Sequence, residues 1–255
     1  MRNVALRLSY DGTRYHGWQL QRAEPTVAGA VEAALAAVCG PGTRVTGCGR
    51  TDAGVHARAY CANFKTESAI PAERLPYALN SRLPSDIAVS GAVDVPAGFN
   101  AVTSCVKKEY TYEIYCARAH DPFRVNRAYR YPFTPDVRAM REASEAFLGT
   151  RDFAAMRSAG SRTRTTVRTV FWYEIDSGGG ALSLRVCADG FLYNMARTMA
   201  GTLLYVSEGK IPAGQLPALL ATGDRRLAGP TAPACGLYLT RLWYDGPAGQ
   251  LMADA

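Results

Sequence analysis

Apolar and polar positions alternate along Val4–Tyr10, the period of a half-buried strand. Val27, Ala30, Val31, Ala34, Leu35 and Val38 then recur at helical spacing, which predicts a helix capped by Thr26 and ended by Gly40-Pro41-Gly42. Thr43–Cys48 and Arg58–Lys65 read as strands. Pro71 opens a second helix that turns Leu75, Ala78, Leu79 and Leu83 inward, with Pro76 an obstacle to regular geometry. Asp86–Val95 is a closing strand, so the order is βαββαβ, the split βαβ or ferredoxin-like plan.

The second half repeats that order loosely. Val106–Cys116 and Ala128–Phe133 read as strands, and a helix runs from Pro135 to Gly149. Arg168–Asp176 and Ala181–Ala188 flank Ser177-Gly178-Gly179-Gly180 as a hairpin. Helices are expected over Phe191–Glu208 and Gly214–Ala221, and a last strand over Gly236–Tyr244. The fold class is therefore mixed α/β (α+β): two ferredoxin-like domains, residues 1–104 and 105–245, whose antiparallel sheets combine, and a loose tail at 246–255.

Composition narrows the partners. The 255 residues are 48% hydrophobic, enough for a sizeable core, and 29 basic against 22 acidic residues give a charge of +7. That balance favours a polyanionic partner and equally suits a protein kept off its isoelectric point. The seven cysteines form no C-x-x-C pair, and several lie among apolar neighbours, as core thiols of a reduced, cytoplasmic protein do. No apolar window reaches the roughly 18 residues of a membrane span, and no secretory segment opens the chain.

Candidate chemistry centres on Gly49-Arg50-Thr51-Asp52-Ala53-Gly54-Val55-His56-Ala57. A carboxylate on a tight glycine-flanked loop, with a guanidinium two residues earlier, has the makings of a nucleophile. Alone, the loop reads as readily as a turn organised by Asp52. The segment Asp11–Arg22, with Arg14, Trp18 and two glutamines, mixes the residue types that contact phosphates and unpaired bases; an ordinary surface loop with Trp18 plugging the domain edge has the same composition. Alternation puts Tyr110 and Tyr112 on one strand face, where a tyrosine can stack under an extruded base, although half-buried sheet tyrosines are commoner. In Gly190–Arg197, helical spacing would group Phe191, Met195 and Thr198 and set Arg197 near the second turn, available to a carboxylate or simply solvated. Ser161–Arg168 is basic and hydroxyl-rich, a phosphate-contacting or merely solvated loop. His16, His56 and His120 show no metal or catalytic pattern.

In this order the motifs resemble the tRNA pseudouridine synthase A family across nearly the whole chain. Asp11-Gly12-Thr13, Gly17-Trp18-Gln19 and Thr26-Val27 resemble its N-terminal signature, and Gly49–Ala57 its active-site loop. Lys108–Tyr112 resembles its tyrosine strand, and Gly190–Arg197 its helix start, with Ala196 for the usual valine. Ala228–Pro233 with Gly236–Leu239 resembles its C-terminal signature. The resemblance implies a cleft between the domains in which uridine at positions 38, 39 and 40 of the tRNA anticodon stem-loop becomes pseudouridine, with no cofactor or metal, in a homodimer. It implies Asp52 as nucleophile, Arg197 as its ion-pair partner, Tyr110 packed on the target base and Arg50 on the RNA. Arg14 and Arg168, in the two basic segments read above, are further candidate RNA contacts.

The chain departs from the family where a Phe-His-Ala-Arg pattern is usual. Phe99-Asn100-Ala101-Val102 stands there, and Ala28 replaces the usual glutamine after Thr26-Val27. Two other readings stand beside the resemblance. A silent RNA-binding or tRNA-folding protein on the same scaffold is opposed by the presence together of Asp52, Tyr110 and Arg197. A one-carboxylate nucleoside glycosidase is opposed by the lack of a paired carboxylate near Asp52.

Overall fold

The computed structural model describes residues 1–160 and 163–253; Ser161 and Arg162, which open the basic stretch, lie outside the described residues, as does the end of the expected tail. Strands and helices follow in the order β1 (Arg2–Tyr10), α1 (Val27–Cys39), β2 (Val45–Gly47), β3 (His56–Thr66), α2 (Leu75–Asn80) and β4 (Ile87–Val95). Then come β5 (Lys107–Cys116), β6 (Tyr129–Tyr131), α3 (Val137–Ser144), β7 (Gly149–Asp152), β8 (Val167–Gly178) and β9 (Ala181–Ala188). The chain continues through α4 (Met195–Ser207), α5 (Leu216–Thr222), β10 (Leu237–Trp243) and α6 (Gly246–Ala253). The class is mixed α/β with mostly antiparallel strand pairing, as expected. No helix among the described residues is long and apolar enough to cross a membrane.

Two compact units form: Met1–Lys108 with the chain from Tyr238 onward, and Glu109–Leu237. The division therefore falls at Lys108 rather than near residue 104, and the last strand, expected in the second domain, returns to the first unit. The reason is backbone pairing. β10 lies parallel to β3, Tyr238 opposite His56 and Leu239 opposite Ala57.

In the first unit the sheet order is β4-β1-β3, and β2 and β10 share the far edge of β3, beside its end and its start respectively. β1 pairs antiparallel with both β3 and β4. Val4, Leu6 and Leu8 on one face of β1 are fully buried, and so is Ala5 on the other, so both faces of this strand are covered. α6 accounts for part of that cover, packing on β4 and β1. Residues after Asp245, expected to be loose, thus form a helix, with Ala248 and Met252 buried and Leu251 against Gly91. α1 begins as expected: the Thr26 hydroxyl accepts the Gly29 N–H, a standard N-cap. Pro76 proves compatible with α2 because it occupies the first turn, where no intrahelical N–H is needed.

A buried amide pair fastens the turn that follows β4. Asn63 donates to the Asn3 side chain at 2.9 Å and accepts the Ala101 N–H at 2.9 Å. Asn3 donates to the carbonyls of Pro96 and Phe99, and the Tyr244 hydroxyl donates to Ala101 O. The turn carrying Asn100 and Val102 is thereby held to the sheet.

The second unit has the order β5-β9-β8-β7, with β6 parallel to β5. β7 was not expected; its four residues are all exposed, so no apolar alternation marks it. The helix expected from Phe191 begins instead at Met195, because Asn194 adopts a left-handed backbone, φ 62° and ψ 7°. Arg197 consequently lies in the first turn of α4, and Phe191 lies outside the helix face it was expected to share. Along α4, Met195, Met199, Leu203 and Val206 are buried with Thr198 and Thr202. Segment 228–233 lies directly on this helix: a Cβ on Gly201 would stand 1.9 Å from Pro230 O, and one on Gly229 would stand 2.5 Å from Gly201 O.

Met252→Ala tests whether the last helix is part of the core. Removing this side chain, 6% exposed, should cost about 2 kcal/mol, the lower end for buried methionine truncation, in urea-unfolding titrations. A loss below about 0.5 kcal/mol, the size of an ordinary surface substitution, would mean that the tail adds nothing to the sheet.

Candidate active site

Asp52 is half-buried on the connection between β2 and β3. The backbone on either side of it is clamped. Before it, Cys48 O accepts the Lys108 ammonium at 2.5 Å and Gly49 O accepts the Tyr60 hydroxyl at 2.5 Å. Thr51 O accepts the Trp18 N–H at 3.3 Å, and the Thr51 hydroxyl lies 3.0 Å from the Tyr10 hydroxyl. After it, the Gly54 N–H donates to Tyr15 O at 3.2 Å, and the Val55 N–H closes a turn onto Asp52 O at 3.1 Å.

The clamp is formed by the segment after β1, whose backbone touches the loop directly. A Cβ on Gly12 would lie 2.0 Å from Val55 O, and one on Gly17 would lie 2.1 Å from Thr51 O; Gly17 also has φ 80°. Only glycine supplies both the conformation and the space. Beneath this contact Trp18 stacks on Tyr60 at 4.2 Å, and Tyr10 packs on Tyr60 at 5.6 Å. Trp18 is 4% exposed, so its role here is the plug. His56 is likewise structural: its Nδ1 accepts the Gly12 N–H at 3.0 Å and its ring stacks on Tyr238. Asp11 Oδ1 lies 3.2 Å from the same nitrogen.

Arg14 and Arg50 take different places around this loop. Arg14 binds Asp86 through Nη2 at 2.6 Å and Nε at 2.7 Å, while the Tyr15 hydroxyl donates to the other oxygen of Asp86 at 2.7 Å. These bonds tie the segment to the start of β4. Burial and the bond to Asp86 push the Tyr15 hydroxyl up to about 12. An RNA phosphate would compete with Asp86 for Arg14. Arg50 is exposed, two residues before Asp52.

In the second unit the stretch Gly190–Arg197 gathers the other candidates. Phe191 meets the half-buried Tyr110 ring edge-on, centroids 4.9 Å apart. Tyr112, expected on the same face, is 2% exposed and donates to Pro233 O, so the two tyrosines have different environments. Arg168 Nε would stand 3.3 Å from a Cβ on Gly190, and its Nη1 donates to Thr165 O and Val167 O. Arg197 donates through Nε to Ala232 O at 2.7 Å and through Nη1 to the Asn194 side chain at 2.9 Å. Asn194 in turn donates to the Ser158 hydroxyl. A left-handed non-glycine residue at a helix start is a strained conformation that asparagine tolerates best, and here it places the amide that holds Arg197.

Lys108, Tyr60 and Asn194 are positioning residues that the sequence reading left without a role. Lys108 and Tyr60 act on carbonyls 60 and 11 positions away along the chain, a relation no local pattern displays. Asn194 carried one usable signal, since asparagine is among the few non-glycine residues that visit the left-handed backbone. Asn100 and Val102, at the departure from the usual pattern, form a compact turn in which the Asn100 side chain accepts the Val102 N–H. Among the described residues, no three His, Cys, Asp or Glu side chains gather as metal ligands would. What the arrangement provides is a carboxylate fixed on both flanks and, in the second unit, an arginine and an aromatic ring held around one helix start.

Gly17→Ala should destabilise the protein by roughly 3 kcal/mol or more, combining a left-handed alanine with a backbone collision. Gly42→Ala is the control: φ is 79° there but nothing lies within 4 Å of the added carbon, so about 1 kcal/mol is expected. Equal losses in urea titrations would show that the close approach at Thr51 contributes nothing.

Comparison with known proteins gives the same picture from a different direction. Residues 8–102 and 143–245 match the family described as tRNA pseudouridine synthase. A protein of Caldicellulosiruptor bescii named tRNA pseudouridine synthase A is 43% identical over 244 residues, covering 96% of this chain and 100% of its own. One of the same name from Bacillus subtilis is 42% identical over 240 residues, covering 93% of this chain and 97% of its own. Among solved structures, a chain titled as part of a Cbf5-Nop10-Gar1 complex matches with a TM-score of 0.36 and 15% identity, over 83% of this chain and 44% of that one. Two matched blocks that include both the Asp52 loop and the Arg197 helix, together with full-length relatives above 40% identity, place this chain in the tRNA pseudouridine synthase family, isomerases that act on tRNA.

Proposed function

We propose that this chain converts uridine to pseudouridine at positions 38, 39 and 40 of the tRNA anticodon stem-loop, with Asp52 as nucleophile. The observation that carries the assignment is the clamp on both flanks of Asp52, which fixes the backbone that bears a half-buried carboxylate. Rigid positioning is what attack on a ribose or base carbon requires.

The isomerisation breaks N1–C1′, turns the uracil and joins C5 to C1′; C5 loses a proton and N1 gains one. No electron or group enters from outside, so the reaction demands no cofactor. The carboxylate serves by attack on C1′, by attack on C6 or by proton abstraction from the ribose, and all three routes need it ionised. Arg197 is the cation we assign to that task, since a paired positive charge offsets the penalty of burying a carboxylate. Turning the base out of its stack costs a few kcal/mol, which packing on Tyr110 partly returns. Arg50 contacts the RNA beside the extruded base and helps to hold it out, and Arg14 and Arg168 contact the phosphates. The protein works as a homodimer in the cytoplasm in this reading.

Asp52→Asn should abolish pseudouridine formation on an unmodified tRNA transcript with uridine at 38 to 40, mapped by chemical labelling, while tRNA affinity stays within about tenfold, or 1.4 kcal/mol. Turnover at the wild-type rate would remove Asp52 from the chemistry. Tight tRNA binding without product from either protein would make the chain an RNA binder.

Arg168→Ala should weaken tRNA binding and reduce the slope of log K against log salt by about 1, as loss of one phosphate contact does. An unchanged slope would place Arg168 off the RNA.

A further inference from the structure

A concavity of about 460 Å³ opens in the first unit beside the Asp52 loop, walled by Gly47, Gly49 and Arg50 on one flank and by residues of the Trp18–Leu20 segment, α1 and the Val102 turn on the others. Its size falls within the roughly 300–1,000 Å³ of small-molecule sites. None of the residues given roles in the chemistry lines it except Arg50. We propose that it is a subsite for one unpaired nucleobase of the RNA, the base adjoining the target uridine; the inference rests on the tRNA-isomerase reading above.

Three observations point to a base. First, Leu20 and Val102 are 41% and 47% exposed, and both line the hollow. Apolar side chains left open at a concave site are the surface on which a splayed-out base packs. Second, the polar groups suit a nucleotide. The Gln19 amide offers one donor and one acceptor to a base edge, and the exposed Arg50 guanidinium suits the phosphate attached to it. Glu32 also lines the hollow, but its two oxygens are taken by the Val45 N–H at 3.1 Å and by Arg44 at 2.7 Å, so its charge is balanced where a phosphate would approach. Third, the walls are stiff. The Asp52 loop is clamped by Lys108 and Tyr60, and the Val102 turn is pinned through Ala101 to Asn63. A preformed hollow loses little entropy on binding.

Placement supplies the neighbour relation. Arg50 is two residues from Asp52, a span of at most roughly 7 Å. An RNA whose target uridine reaches Asp52 therefore brings the next nucleotide to the rim. A subsite here would select for a base that is free to leave its stack beside the target.

The test is a cycle between protein and RNA. Anticodon stem-loop RNAs are made intact or abasic at the nucleotide on either side of the target, and kcat and KM are measured with wild type and with the double variant Leu20→Ala, Val102→Ala. Both side chains stand partly in solvent, so the variant should fold. With wild type, one of the abasic RNAs should raise KM by about five- to tenfold, the lower end of what one packed base contributes. With the variant, the same abasic change should add less than about twofold, because the contact is already gone. An equal abasic penalty in both proteins, or none in wild type at either neighbour, would overturn the subsite. A fall in kcat on every RNA with no such coupling would also overturn it, by showing that the substitutions disturb the Asp52 loop instead. If wild type forms no pseudouridine in the intact RNA, the tRNA-isomerase reading falls and the subsite with it.

Discussion

Contact between two stretches of backbone, residues 12–18 and 51–55, is the constraint on which the first unit's chemistry depends. Carbonyl oxygens of Thr51 and Val55 sit where side chains of residues 17 and 12 would otherwise be. Everything nearby follows from that proximity. The Trp18 and Gly54 amides find partners across it, the His56 ring turns its Nδ1 to Gly12, and the Tyr10–Tyr60–Trp18 cluster fills the space below. Main-chain and side-chain hydrogen bonds to the residues beside Asp52 hold its backbone in place.

The second unit uses the same device for a cation. Gly201 and Gly229 let segment 228–233 lie against the backbone of α4, and the Gly229 N–H is met by the Thr202 hydroxyl. That segment then supplies the Ala232 carbonyl that takes Arg197 Nε, while the strained Asn194 supplies an oxygen for Nη1. Bonds at two of its nitrogens to neutral acceptors fix the orientation of this guanidinium. The distribution of polar burial is consistent with this economy. Thr198 and Thr202 are fully buried on α4 and both are hydrogen-bonded, as buried hydroxyls must be.

The nucleobase subsite and the clamp share parts. Gly49 and Arg50 belong to the loop that carries Asp52, and the Val102 turn hangs from the same buried asparagine pair that secures the strand pairing of β1 and β3. Binding at the hollow would therefore be felt by a rigid loop rather than by a flexible one, which favours positional selectivity over adaptability. Valine at position 102, where the family pattern usually has arginine, makes that wall apolar in this chain.

Much of the fold was legible because its signals are local. Alternation in Val4–Tyr10, the Thr26 cap and the glycine turn of the hairpin each act within a few residues, and each element stands close to where periodicity puts it. The loop bearing Asp52 was legible as a motif, since glycines on both sides of a carboxylate are a short-range arrangement. Exposed β7 and the helix after Asp245 were not, because the first has no apolar face and the second is stabilised by the strand surface it covers. The start of α4 was misplaced by four residues because Asn194 leaves the helical region for a tertiary reason, its bonds to Ser158 and Arg197. Sequence alone determined most of the element order, all but β7 and the last helix, together with the candidate site residue types and the family they resemble. Only the tertiary structure decided that Lys108 and Tyr60 immobilise the Asp52 loop, that Trp18 is a plug, that Arg14 is engaged by Asp86, and that the last strand joins the first unit, since each of these rests on contacts between residues 11 to 182 positions apart in the chain.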